Sequence, residues 1–113
     1  MFVQILQIIG AVATILTGLF SLLKPNDIKG FTGIQPVGAR GVTEVRAIFG
    51  GVFIALGLLP FFVPAAYLVL GVTYLTIGLV RAVSMFIDKS VVQSNVISLV
   101  VEIIFGVILV LPL

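Results

Sequence analysis

The sequence predicts an all-α fold, a polytopic membrane protein forming a single four-transmembrane-helix bundle. Its spans are expected at about residues 2–23, 43–60, 65–87 and 91–111. Three observations predict it. Hydrophobic residues fill 61% of the 113 positions and charged residues 9%, against roughly 45–50% and about 25% in soluble domains. Mean hydropathy is +1.41. Apolar runs long enough for one bilayer crossing, about 20 residues each, are separated by short polar or proline-bearing breaks. Six basic and four acidic side chains cannot coat a soluble surface, so lipid is the solvent for most of this one.

Span one, Phe2 to Leu23, carries no charge. No basic residue precedes it, its apolar run exceeds the core of a signal peptide, and no small-x-small site closes it. It is therefore expected to be a retained span. Lys24 to Gly41 contains Pro25, Pro36 and four glycines (30, 33, 38 and 41) and reads as a loop, with Phe31 and Ile34 suited to the membrane interface. Span two is fixed by length. Ala47 to Leu59 is too short to cross roughly 30 Å at 1.5 Å per residue, so the span begins near residues 41–43 and draws in Glu44 and Arg46. Pro60 to Pro64 reads as the tight turn that follows. Span three carries Arg81 and ends at the turn Asp88-Lys89-Ser90; span four carries Glu102 near its middle.

Four crossings place both termini on one side. Lys24, Lys29 and Arg40 lie in the first link and Lys89 in the last, whereas the Pro60–Pro64 turn is uncharged. Basic residues in short loops favour the cytoplasm, so the charged links are expected inside and the termini outside.

The chain has no cysteine and no histidine. That excludes disulfides, thiol nucleophiles, Cys/His zinc sites and His-ligated haem. No catalytic residue, metal site or cofactor is expected. No basic cluster interleaved with aromatics tracks a phosphate backbone, so nucleic acid is not an expected partner.

Polar and small residues are phased together along each span. Gln4, Gln7, Thr14, Gly18 and Ser21 share one face of span one. Gly71, Tyr74, Gly78, Arg81 and Met85 share one of span three, with Asp88 seven beyond Arg81. Asn95, Ser98, Glu102 and Gly106 share one of span four. A seam facing the bundle interior explains this. The glycines in it are read as close-packing positions and not as a phosphate-binding loop. An ionisable side chain near the bilayer centre costs at least ~2.5–3.5 kcal/mol and normally faces a partner. By helical rise Glu102 lies about 16 Å, Arg81 about 24 Å and Arg46 about 21 Å from the outer ends of their spans. Arg81 and Arg46 are thus rival partners for Glu102. The candidate ligand-binding or ion-network residues are Glu44, Arg46, Arg81, Asp88 and Glu102, with Tyr74, Asn95 and Ser98. Two readings of the cluster stand side by side: an ion-pair network that fixes helix register, and a cytoplasmically open polar cavity that binds a ligand. An interface to another membrane subunit is the third.

Gly41-Val-Thr-Glu44-Val-Arg46-Ala-Ile-Phe-Gly50-Gly51, then Gly78-Leu-Val-Arg81 with Asp88 seven on, then Glu102, resembles the pattern of a bacterial family of small four-helix integral membrane proteins, a domain of unknown function. The resemblance covers nearly the whole chain. It implies that Glu44, Arg46, Arg81, Asp88 and Glu102 are the family's polar signature, places the chain in a bacterial cytoplasmic membrane, and implies no activity.

The leading expectation is a non-enzymatic membrane protein that binds a membrane lipid or small amphiphile, or supports a larger membrane complex. The alternative is a proton-coupled small-molecule transporter acting as a homo-oligomer. Small multidrug transporters have comparable length and four spans, but their essential Glu sits in the first span, which is uncharged here. The third is a lipid-modifying membrane enzyme in which Glu102 and Glu44 divide acid and base roles.

Overall fold

The computed structural model describes residues 1–112 and is all-α. Helix α1 is Phe2–Leu23. A 3-10 turn, Pro25–Asp27, leads to α2, Lys29–Thr32. Helix α3, Gly38–Glu44, passes through a π-helical stretch, Val45–Val52, into α4, Phe53–Phe62. Helices α5, Ala66–Ile87, and α6, Gln93–Val110, complete the fold. Four helical rods are long and apolar enough to cross a membrane: Phe2–Leu23, Gly38–Phe62, Ala66–Ile87 and Gln93–Val110. Their exterior suits lipid, with Leu79, Phe86 and Ile87 each at least 67% exposed, while Gln7, Thr14, Ser21 and Glu102 are buried. A soluble protein does the reverse.

The chain forms two compact units, residues 11–64 and residues 1–10 with 65–112; α1 contributes to both. In the first, α1 packs against Gly38–Phe62 through glycine. A Cβ on Gly18 would lie 2.9 Å from the Gly50 carbonyl oxygen, and one on Gly57 would lie 2.6 Å from Ile15 Cγ1. Two backbones this close admit no side chain between them.

The second rod runs from Gly38 to Phe62, longer at both ends than the expected 43–60. Val37, extended (φ −113°, ψ 118°), precedes it. Pro60 lies inside α4 and does not open the turn. Near a helix end it forfeits only one N–H donor. The break falls at Val63 (φ −130°, ψ 98°), the residue that Pro64 biases away from helical geometry.

The segment read as a loop is also more ordered. Buried Pro25 starts its 3-10 turn, and Ile28 is fully buried. Phe31 meets Phe20 of α1 edge to face at 5.3 Å. Gly33 (φ 74°) caps α2, donating its N–H to Lys29 O. Thr32 Oγ1 donates to Ile28 O and accepts the Ile34 N–H, which closes the turn.

In the second unit α5 and α6 form an antiparallel hairpin. Gly71 faces Leu109 and Val110, Gly106 faces Leu75, and Gly78 faces Leu99, Glu102 and Ile103. Contact positions recur at steps of four and three on both helices, the pattern of left-handed helix pairs. The amino end of α1 joins this hairpin. Buried Gln7 donates from Nε2 to Ile108 O and Leu111 O, both at 3.0 Å, joining the Leu111 N–H on Ile108 O and supplying a donor to Leu111 O just past the end of α6. Its Oε1 is buried with no partner among the described residues.

Candidate functional site

The site is built on the α5–α6 hairpin. Arg81 stands six residues before the end of α5, and Glu102 is the tenth of the 18 residues of α6. The glycine contact at Gly78 brings Glu102 alongside α5, and the next turn places Arg81 against it. Arg81 Nε donates to Glu102 Oε1 and Nη2 to Oε2, each at 2.8 Å. One edge of the guanidinium thus grips both carboxylate oxygens, the strongest geometry available to an ion pair. The third donor, Nη1, reaches Asn95 Oδ1 at 2.9 Å. Asn95 in turn donates from Nδ2 to Ser90 O at 2.9 Å, so the inter-helix turn is tied to the same clasp.

Pairing offsets the cost of placing two charges there. Alone, each would cost at least ~2.5–3.5 kcal/mol at the centre of a span. Opposite charges near 4 Å gain about 4 kcal/mol at an effective dielectric of 20, and the hydrogen bonds add to this. Glu102 is the more enclosed side chain, 11% exposed against 31% for Arg81.

Arg81 is more open because it lines a groove of about 460 Å³. At the turn end the lining is polar: Arg81, Ser84, Asp88, Ser90 and Asn95. Met85 lies among them, and deeper along α5 come Ile77 and Val80, with Thr76 at the far end. The groove is therefore mainly polar near the helix ends, while Ile77 and Val80 make it more apolar deeper along α5. Asp88 closes α5 (φ −91°, ψ 2°), and Lys89 beside it takes a left-handed backbone (φ 51°) that reverses the chain.

Of the residues expected at the site, Arg81, Glu102 and Asn95 share one hydrogen-bonded cluster, and Asp88 lines the same groove. Tyr74 packs edge to face on Phe105 at 5.7 Å, two turns of α5 from Arg81. Ser98 is half-buried on α6. Glu44 lies in the other unit, half exposed, and takes Arg40 Nε at 3.1 Å, one turn back on the same helix. Arg46 is exposed on that helix. Arg40, expected in the loop, lies in helix α3. The signal was there in Arg40-x3-Glu44, a helical i,i+4 pair, once the helix starts at Gly38. Ser84 and Ser90 also line the groove; the four-residue step to Asp88 is the signal for Ser84, and Ser90 follows in the turn with no periodic signal.

The chain matches no family model, no curated protein and no solved structure among those compared.

Proposed function

We propose that this chain is a non-enzymatic integral membrane protein whose α5–α6 groove holds a membrane lipid or small amphiphile. The observation that carries the reading is the polarity gradient of the groove. Arg81, Ser84, Asp88, Ser90 and Asn95 gather at its turn end, with Met85 among them, and Ile77 and Val80 lie deeper along α5. Such a surface suits a polar head near the helix ends and an alkyl chain beside α5. A volume of about 460 Å³ falls within the usual range for small-molecule sites, about 300–1,000 Å³.

The clasp supports binding over proton-coupled transport. Both Glu102 oxygens are held by Arg81, and a carboxylate that must load and release protons needs a form free of such a grip. Its structural role is to fix the hairpin against which the ligand rests. The same reading places the Lys24–Pro36 link and the Asp88–Ser90 turn on the cytoplasmic side. The bacterial cytoplasmic membrane enters it through the resemblance carried by Glu44, Arg46, Arg81, Asp88 and Glu102.

The test is native mass spectrometry of protein extracted with its surrounding lipid. A stoichiometric amphiphile is expected on the wild type, and its loss on Ser84→Leu, which fills the groove. Retention of the same adduct by Ser84→Leu would place the ligand elsewhere and sink the reading.

A further inference from the structure

We infer that the polar end of the groove takes a primary ammonium group, with Asp88 as its counter-ion. The chemistry is that of an ethanolamine-type lipid head or a free long-chain amine. This rests on the groove's binding an amphiphile and adds the class of head group.

Charge carries the inference. Arg81 is the cation in the lining, and its charge is already met by Glu102, which grips it through both oxygens. The third hydrogen bond of the guanidinium goes to Asn95. Thr76, Ser84, Ser90 and Asn95 are neutral, and Lys89 is not part of the lining. What remains is the carboxylate of Asp88, exposed and without a hydrogen bond or ion pair to its side chain among the described residues. The groove therefore carries one uncompensated negative charge. An anionic head would add like charge beside Asp88, at a cost of a few kcal/mol at close range and an effective dielectric of 20. An ammonium instead brings three N–H donors to a site rich in acceptors. The Asp88 carboxylate takes one, and the hydroxyls of Ser84 and Ser90 are placed to take others. The N–H bonds of Arg81 not used by Glu102 or Asn95 remain for a phosphate ester beside that ammonium.

Asp88 sits at the end of α5, just beyond the apolar run. That is the level of the head groups when α5 crosses a bilayer.

The experiment loads purified full-length protein with equal amounts of dioleoyl phosphatidylethanolamine and dioleoyl phosphatidylglycerol and reads the retained lipid by native mass spectrometry. The wild type is expected to keep the ethanolamine lipid about tenfold over the glycerol lipid. Asp88→Asn should erase the preference and Asp88→Glu restore it. Dodecylamine serves as the free-amine arm. Displacement of the lipid from wild type assigns the site to a free amine, and lack of displacement assigns it to the lipid head. Equal or stronger retention of the glycerol lipid, or a preference untouched by Asp88→Asn, overturns the ammonium assignment and leaves the groove as an amphiphile site. If Ser84→Leu retains both lipids as wild type does, the groove reading itself fails.

Discussion

Removing half of the Arg81–Glu102 clasp strands the other half as a charge without a partner in a membrane-crossing helix. Breaking a buried pair in this way costs about 3–5 kcal/mol. Arg81 is partly open, so Glu102→Gln should cost about 3 kcal/mol, read as equilibrium unfolding in mixed micelles. Arg81→Gln should cost a similar amount and the double variant clearly less than the sum. Strict additivity would show that the two side chains are not coupled. Gln7 offers the opposite case. Gln7→Leu gives up two hydrogen bonds but also removes an orphaned buried oxygen, so its cost should stay near 1 kcal/mol. Gln7→Glu turns a carboxylate toward the carbonyls of Ile108 and Leu111 and should cost well over twice that, measured the same way. At this scale Arg81 and Glu102 were legible because charge in lipid demands a partner. The choice between Arg81 and Arg46 was not, since it depends on which helix lies alongside α6. Gln7 was readable as a seam residue, whereas its acceptors lie about a hundred positions away, at separations of 101 and 104.

Glycine spacing decides how closely the helices pack, and two glycines six residues apart test this. Gly57→Ala would place a Cβ 2.6 Å from Ile15 Cγ1 and 2.8 Å from the Ala11 carbonyl oxygen, while Gly51→Ala meets nothing within 4 Å. The first should lose about 2 kcal/mol of stability, in the range of overpacked cores. The second should be neutral or gain a few tenths through helix propensity. Equal thermal shifts for the two would contradict the packing described. The existence of the four long helices was legible from hydropathy alone; the ends of the first and third follow their apolar runs, and those of the second do not. Pro60 and Pro64 look alike in sequence, yet only the residue before Pro64 leaves helical geometry. The Lys24–Pro36 link was read from its prolines and glycines. Its order comes from Ile28 and Phe31, whose partners are set by packing and not by local propensity.

The whole chain lacks cysteine, so single cysteines report sidedness without background. Lys29→Cys and Lys89→Cys are expected to resist a membrane-impermeant maleimide in intact cells, and Val63→Cys to react. Labelling of Lys29→Cys alongside Val63→Cys would overturn the orientation. Inward-facing polar groups and outward-facing leucine, valine and phenylalanine made the membrane class readable. The division into two units was not readable, because α1 is one uninterrupted apolar run that changes neighbours at Gly10 with no mark in its composition.

That division also sets a timetable. A ribosome makes residues 11–64 before α5 or α6 exists, so the helices of that unit can associate while translation continues. Gln7 must wait, since its acceptors Ile108 and Leu111 follow it by 101 and 104 residues. Until then its amide sits in a nascent segment with nothing to bind, exposed to insertion and quality-control factors. Completion of α6 ends that exposure. A later stretch of polypeptide fastens an earlier one, and any release of the chain short of Ile108 leaves the start of α1 untied.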